Sequence, residues 1–129
     1  MRFAGKSLRR LGVNQDGATA VEFAMVLPAF ILLIVGGFYA AEMMHAAASM
    51  QYAVQAAARC AAVNTTVCTD SSSTVNYATS HATALGAGAV NFTSSTSTCG
   101  HVVTGTLTYA LDTGLGKIDV PLSATACFP

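Results

Sequence analysis

The longest apolar run of the chain lies between Glu22 and Glu42, where 19 consecutive residues carry no charge. As an α-helix these residues would rise about 28 Å, close to the ~30 Å thickness of a bilayer's hydrocarbon core. Ten of them are Leu, Ile, Val or Phe, the residue types that most favour insertion. The pattern therefore predicts one transmembrane helix.

Residues 42–63 contain neither Gly nor Pro and are rich in alanine, so the helix is expected to continue beyond the lipid. At helical spacing, one stripe collects small and apolar residues: Met43, Ala47, Met50, Val54, Ala57 and Ala61. Polar residues lie broadly opposite: Glu42, His45, Ser49, Tyr52, Gln55 and Arg59. We expect one rod of roughly 45 residues, about 65 Å long, whose stripe packs on the chain's own distal domain. A stripe reserved for a partner protein is the alternative.

Residues 64–129 predict a small α+β domain. A polar run ends at Thr74, a natural N-cap, and a short helix is expected over 75–85, terminated by Gly86 and Gly88. Residues 90–93 read as a short strand, and 94–98 as a loop. Two longer strands are expected over 102–111 and 117–126, joined by a turn at 112–116. Together they predict an antiparallel sheet of about three strands.

Four cysteines, Cys60, Cys68, Cys99 and Cys127, follow the apolar run. An even number in an oxidising compartment indicates two disulfides, with three possible connectivities. Proximity favours Cys60–Cys68, which would leave Cys99–Cys127.

The two longer strands give a geometric argument for the second disulfide. Matching their apolar faces pairs Val103 with Ala124, Leu107 with Val120 and Tyr109 with Ile118. In this register Cys99 lies one residue out of step with Cys127, so a bulge at Gly100 or Pro121 is expected. Pro121 also suits an edge strand, where a missing N–H is tolerated.

Charge is scarce and unevenly placed. Charged residues make up 9% of the chain, and four cations precede the apolar run: Arg2, Lys6, Arg9 and Arg10. The positive-inside rule then places the N-terminus in the cytoplasm and the C-terminal domain outside it. A basic head on a weakly acidic body points to a membrane and not to nucleic acid. A cleaved secretory signal peptide is the alternative, but its apolar core is usually shorter.

Catalytic and metal-binding patterns are not apparent. His45, His81 and His101 fall on different predicted elements, and Cys99-Gly100-His101 has no second ligand pair to complete a metal site. No nucleophile elbow, paired carboxylates or phosphate loop is recognisable. We therefore expect a protein that is not an enzyme, with no cofactor, metal or small-molecule substrate.

The junction Gly17-Ala18-Thr19-Ala20-Val21-Glu22-Phe23 follows the basic leader and opens the apolar run. It resembles the prepilin signal of type IV pilins. With the following proline, the late glycines and the acid that closes the span, it resembles more narrowly the TadE-like family of tight adherence pilus systems. The resemblance implies a pilin-like fold with a leader (1–17), a long helix (18–63) and an extracytoplasmic domain (64–129). It also implies cleavage between Gly17 and Ala18 by a prepilin peptidase, in the bacterial inner membrane.

A lone carboxylate at the edge of an apolar helix suggests that it pairs with a group on another molecule, because burying an unpaired charge is costly. The resemblance implies that Glu22 meets the new α-amine of a neighbouring pilin or pseudopilin. Alternatively, Glu22 only marks where the span begins. The sequence thus favours a minor pseudopilin-like component whose partners are lipid, the peptidase and other pilins. An unprocessed, membrane-anchored binding module is the main alternative. A redox or hydrolytic enzyme would need free, reactive thiols.

Overall fold

A computed structural model describes residues 16–82, 89–112 and 116–129 of the chain. The elements in chain order are α1 (Asp16–Val63), α2 (Ser71–His81), β1 (Asn91–Ser97), β2 (Gly100–Asp112) and β3 (Lys117–Phe128). The predicted long apolar helix, short helix, three-stranded antiparallel sheet and two disulfides are confirmed. Most of the basic leader, and the expected helix stop at Gly86 and Gly88, lie outside the described residues.

Helix α1 runs without a break through Pro28 and the Gly36–Gly37 pair. By length and composition it contains a segment that is able to cross a membrane, and none of its most apolar stretch is buried within the structure. The chain divides into two compact units, residues 1–38 and 39–129. The described residues of the first unit, 16–38, form the first part of α1. We call the second, Tyr39–Pro129, the packed unit.

The core of the packed unit forms where α1 lies on one face of the sheet. Buried residues come from α1 (Ala46, Met50, Ala53, Val54, Ala57, Ala58), from α2 (Thr74, Ala78) and from the strands (Phe92, Val103, Leu107, Tyr109, Ala124). Three residues of the predicted stripe, Met50, Val54 and Ala57, are buried in this core, and Met43 packs against it. Ala47 is only half-buried, and the buried side of the helix includes Ala46, Ala53 and Ala58 instead. Most of the residues that α1 contributes to this core are alanines, so the helix side of the core contains few large side chains.

Gly105 lies on β2 where side chains of α1 and β1 leave no room for a side chain. A Cβ built at this position would lie 2.9 Å from Cε1 of Phe92 and 3.0 Å from Cγ of Met50. Both distances are shorter than ordinary van der Waals contact, so glycine is required here by space and not by backbone conformation. Gly105 thus fixes the packing of α1 on β2.

The sheet has the order β1-β2-β3 with antiparallel pairs throughout. The predicted pairing of β2 with β3 is wrong by two residues: Val103 pairs with Ala126, Leu107 with Leu122, and Tyr109 with Val120. A shift of two leaves every side chain on the same face, so the apolar pattern cannot distinguish the two registers. The observed one extends the ladder to Asp112 and Lys117, whose opposite charges then lie directly across from each other.

The expected bulge is also wrong, because the ladder runs uninterrupted from His101–Phe128 to Asp112–Lys117. The predicted loop at 94–98 is replaced by strand up to Ser97 and a two-residue turn, Thr98–Cys99. Cys99 therefore lies outside the ladder, where face parity does not constrain it. Gly100 follows at φ 117°, and a Cβ there would lie 2.2 Å from the carbonyl oxygen of Phe128. Pro121 lies on the edge strand β3, as predicted.

Helix α2 begins four residues earlier than predicted. Its N-cap is Asp70 and not Thr74: the Asp70 carboxylate accepts from the Ser73 N–H at 2.7 Å, and Ser73 Oγ accepts from the Asp70 N–H at 3.0 Å. This reciprocal pair is a capping box. Thr74 is instead buried, its hydroxyl donating to the Asp70 carbonyl. Ser71 Oγ donates to the Ser94 carbonyl and so ties α2 to β1.

Candidate functional site

The predicted processing site lies in the first turn of α1. Gly17 is exposed, and a Cβ at this position would have nothing within 4 Å. The helix begins at Asp16, and residues 1–15 lie outside the described part of the chain. The Gly17–Ala18 peptide bond therefore stands at the very start of the described helix, with no described tertiary contact around Gly17.

Glu22 lies on the second turn of α1 and is exposed. Its neighbours Val21 and Phe23 are 57% and 66% exposed, so an anionic side chain stands beside apolar surface. Within the described residues, no hydrogen bond or ion pair involves the Glu22 carboxylate. An unpaired carboxylate is unfavourable at lipid depth, so a cationic group from outside the described residues would stabilise it.

The surface of α1 between Glu22 and Tyr39 is apolar on all sides. Its large side chains are 40% to 75% exposed: Phe23, Met25, Val26, Leu27, Phe30, Ile31, Leu32, Leu33, Ile34, Val35 and Phe38. A helix that is apolar all round is stable when it is surrounded by lipid or by other helices. This exposed apolar helix and the acid at its start are the features that the structure offers for assembly.

Both predicted disulfides are present. Cys60 is bonded to Cys68 with a Cα–Cα distance of 5.9 Å, and Cys99 to Cys127 with 6.4 Å. The first joins the last turn of α1 to the segment before α2 and is buried, whereas the second joins the β1–β2 turn to the end of β3 and is exposed. All four thiols are consumed, so none of the cysteines is available as a nucleophile or metal ligand in this state.

A hydrogen bond between distant parts of the chain was not predicted from the sequence. The hydroxyl of Tyr109 on β2 donates to the Glu42 carboxylate at 3.0 Å. Glu42 was assigned to the polar side of the helix, but it is half-buried and turned toward the sheet. The two residues are 67 positions apart. The sequence offers two signals for this contact. One is a tyrosine on the buried face of a strand, and the other is a single acid where the apolar run ends.

Tyr109 is 4% exposed. Burial, which disfavours the charged phenolate, raises the pKa of Tyr109, and the hydrogen bond to the Glu42 carboxylate and its negative charge raise the pKa further. The neutral hydroxyl is therefore maintained as a donor. This contact anchors β2 to α1 immediately after the apolar segment.

The three histidines do not form a common site. His45 is exposed, His81 stacks on Tyr77 with ring centroids 4.2 Å apart, and His101 pairs with Phe128 in the sheet. Across residues 16–82, 89–112 and 116–129, no group of three His, Cys, Asp or Glu side chains is close enough to hold a metal ion.

A cleft of about 830 Å³ lies between the end of α1 and the end of β3. Tyr52, Gln55, Arg59 and Val63 line it from α1, and Thr125 to Phe128 line it from β3. Tyr52 and Val63 are largely exposed, and Arg59 supplies a positive charge at its wall. The lining of the cleft combines apolar surface with one cation. Such a lining suits the binding of an extended or amphipathic ligand better than it suits catalysis.

Comparison with known proteins identifies one family. The model of the family described as TadE-like protein matches residues 17–59, a third of the chain. No curated protein and no solved structure matches the chain. The match begins at Gly17 and covers Glu22, the apolar segment and most of the helix that follows, and it suggests involvement in a tight adherence pilus system. The resemblance predicted from the sequence is thus confirmed over residues 17–59, the segment that matches the TadE-like family model.

Proposed function

We propose that the protein is a minor pseudopilin-like component of a bacterial tight adherence pilus assembly system, and that it acts as a structural subunit and not as an enzyme. A prepilin peptidase removes residues 1–17, α1 remains in the inner membrane, and the packed unit faces the extracytoplasmic side. The observation that carries this proposal is the TadE-like match that begins at Gly17. The exposed apolar helix supports it, because such a surface needs lipid or other helices around it.

Glu22 supplies the second support. Cleavage after Gly17 would leave a cationic α-amine on Ala18, and an exposed carboxylate without a described partner lies one turn further along the helix. Pairing with the amine of a neighbouring subunit would set the register between two helices. Such a pair in a dry environment contributes more to specificity than to net stability.

Processing is tested by determining the N-terminus of the protein purified from its host, with and without the prepilin peptidase. We expect Ala18 as the first residue when the peptidase is present and Met1 when it is absent. Gly17→Val should block cleavage without disturbing the described fold, because the site has open space around it. Gly37→Ala, also in open space, is the matched control and should be cleaved normally. Normal pili from cells whose protein retains residues 1–17 would refute the proposal.

The role of Glu22 is tested separately from cleavage. Glu22→Gln keeps the shape of the side chain and removes the charge, so the variant should be cleaved but should no longer crosslink to neighbouring pilins in the membrane. Glu22→Asp keeps the charge and should retain part of the crosslinking. Unchanged crosslinking in Glu22→Gln would remove the pairing role and leave Glu22 as a boundary residue.

A membrane-anchored binding module is the second candidate, and the cleft beside Arg59 is the observation that favours it. This function needs no cleavage and no contact through Glu22. An intact N-terminus in a strain with active peptidase, together with loss of function in Arg59→Gln but not in Glu22→Gln, would favour the binding module over the pseudopilin.

A further inference from the structure

The sheet of the packed unit has two outer edges, and they differ in how they are covered. Strand β1 forms one edge, and α2 contacts it where Ser71 Oγ donates to the Ser94 carbonyl at 2.9 Å. Strand β3 forms the other edge, and among the described strands it pairs with β2 alone. An uncovered edge presents a row of backbone N–H and C=O groups with which another strand can pair. The sheet therefore offers β3 as the edge for a further strand.

The contact between α2 and β1 also identifies which backbone groups of β3 face outward. Successive residues of an antiparallel strand direct their N–H and C=O groups to opposite sides. The Ser94 carbonyl points toward α2, so Thr93 points toward β2 and faces its partner Thr104. The next residue, Gly105, then points toward β3, where it pairs with Ala124. The backbone groups of Ala124 therefore face β2, and those of the residues on either side of it face away from the sheet.

We call the three residues with this outward orientation in the second half of β3 the open edge: Ser123, Thr125 and Cys127. Pro121 has the same orientation and gives an independent check. A proline facing β2 would remove a hydrogen bond from the ladder, but the ladder runs past Pro121 without interruption. Within residues 16–82, 89–112 and 116–129, no group hydrogen-bonds to the backbone of the open edge. The open edge thus holds three donors and three acceptors in alternation.

The two halves of β3 differ in their protection against pairing. Sheets of natural proteins protect their edges with charged residues, proline or bulges. The first half of β3 carries two charges and the proline: Lys117, Asp119 and Pro121. Residues 122–128 contain no charge and no proline, and the ladder has no bulge there. The protective features therefore end where the open edge begins.

The open edge borders the cleft between α1 and β3. Thr125 and Cys127 line this cleft together with Gln55 and Arg59 of α1. In the described part of the chain, no carboxylate forms an ion pair with Arg59. On a strand added to β3, every second side chain would enter the cleft. The others would extend the hydroxyl-bearing outer face of the sheet, where Oγ1 of Thr104 and Oγ1 of Thr125 lie 3.1 Å apart.

We propose that the open edge is a docking site for an extended segment of a partner protein, which adds to the sheet as a fourth strand. Donors and acceptors that repeat every two residues, about 7 Å apart, match the backbone of another strand and not a helix, a lipid or a sugar. Arg59 favours a segment with an acidic side chain on the cleft side. The site requires neither cleavage after Gly17 nor pairing through Glu22, so it goes beyond the proposed function.

The experiment uses the full chain, isotope-labelled, in detergent micelles. The probe is a synthetic peptide with blocked ends and the sequence Thr-Val-Thr-Glu-Thr-Val-Thr, which places Val and Glu on one face. Amide hydrogen exchange is followed residue by residue by NMR. Without the peptide, amides of the open edge should exchange fast, whereas Ala124 and Ala126, paired with β2, should exchange slowly. Millimolar peptide should slow exchange at the open edge by about tenfold or more. Binding that leaves these amides exchanging fast, or no binding, would overturn the proposal.

Proline variants test the outward N–H groups directly. Thr125→Pro removes the central donor of the open edge and should weaken peptide binding by about tenfold or more. Asp119→Pro changes the same edge in its protected half and is the matched control, which should bind as the parent protein does. Pro121 shows that the strand accommodates proline at such a position. Equal binding by the two variants would contradict pairing at the open edge.

Methylated peptides give the same test without a change in the protein, and so remain decisive if a proline variant fails to fold. Methylation of one alternating set of peptide nitrogens should abolish binding, because those N–H groups face β3, and methylation of the other set should be tolerated. Equal tolerance of both sets would overturn strand addition.

Arg59→Gln tests the cleft side of the site. This variant should bind the Glu peptide more weakly than the parent does, and both proteins should bind a peptide with Gln in place of Glu equally. Equal binding of the two peptides by the parent would overturn the preference for an acidic segment. Protection of the open edge that appears without peptide and increases with protein concentration would identify a second copy as the occupant, and would overturn docking of a separate partner.

Discussion

Single residues determine how closely the helix and the sheet pack, and Gly105 is the clearest case. Gly105→Ala would place a methyl group within 3.0 Å of Phe92 and Met50. Side chains in a packed core can yield only partly, so we expect unfolding to become easier by about 1–3 kcal/mol. Denaturant unfolding of the detergent-solubilised chain measures this. Gly116→Ala, which has open space, should stay within about 0.5 kcal/mol of the parent protein. Equal effects of both changes would contradict the assigned packing.

Tyr109 gives a prediction for alkaline pH. Its pKa is raised above the ordinary 10.0 by burial and by the Glu42 carboxylate. A raised pKa of an acid means that the folded state binds the proton more tightly than the unfolded state. The stabilising contribution is therefore complete below pH 10 and is lost as pH rises through the folded-state pKa. We expect the thermal midpoint to fall more steeply above pH 10 in the parent protein than in Tyr109→Phe.

The control for Tyr109 is Tyr52→Phe, because Tyr52 is 62% exposed. This variant should follow the alkaline profile of the parent protein. At neutral pH, Tyr109→Phe should also be less stable than Tyr52→Phe, because it leaves the half-buried Glu42 carboxylate without its donor. Identical alkaline profiles for Tyr109→Phe and the parent would show that the Tyr109–Glu42 contact does not form.

At the scale of elements, α2 depends on its cap. Hydrogen bonds from the backbone and side chain of Ser73 lower the pKa of Asp70 below its ordinary 3.8. Because the pKa of Asp70 is lower in the folded state, its carboxylate stabilises the fold above pH 3.8. This stabilisation is lost as pH falls through the folded-state pKa. Asp70→Ala should lower the thermal midpoint at pH 7, whereas Asp70→Asn should retain much of the cap and lose the acid dependence. Asp119→Asn, on exposed β3, serves as the control. If the acid dependence were lost in Asp119→Asn and kept in Asp70→Asn, the assignment of Asp70 as the cap of α2 would be contradicted.

The position of an element was predictable where a periodic apolar pattern determines it. It was less predictable where local hydrogen bonding or strand pairing determines it. The apolar run and the alanine-rich stripe identified α1 because the period of a helix is visible over many turns. The cap was misplaced because Asp70 and Thr74 are both natural N-caps, and the Asp70–Ser73 capping box and the burial of Thr74 decide between them. The strand register was misjudged because registers two residues apart bury the same faces.

Interactions between distant elements were the least predictable part of the candidate site. Glu22 and the Gly17–Ala18 bond could be proposed from the sequence because the motif is local. The Tyr109–Glu42 hydrogen bond could not be predicted, because it depends on which turn of α1 lies opposite Tyr109.

For the molecule as a whole, the disulfides compensate for a small core. The packed unit buries mostly alanines from α1, and such a core supplies little stability without additional links. The Cys99–Cys127 bond spans 28 residues and encloses the β2–β3 hairpin. Replacing both cysteines by serine should cost about 2–5 kcal/mol, measured by denaturant unfolding of the oxidised proteins. No change in stability would show that the bond adds nothing to the packed unit.

The two disulfides should also differ in resistance to reduction. Cys60 and Cys68 are 7% and 5% exposed and pack with Ala61 and Tyr77, whereas Cys99 and Cys127 lie on the surface. A thiolate must reach a sulfur atom to exchange with it, so access decides which bond is reduced first in the folded protein. Brief treatment with a thiol reductant, followed by alkylation and peptide mass mapping, should label Cys99 and Cys127 while Cys60 and Cys68 remain joined. Addition of denaturant should abolish this difference, because unfolding exposes both bonds. Preferential labelling of Cys60 and Cys68 without denaturant would mean that the end of α1 opens more readily than the edge of the sheet, contrary to the buried packing described for that end.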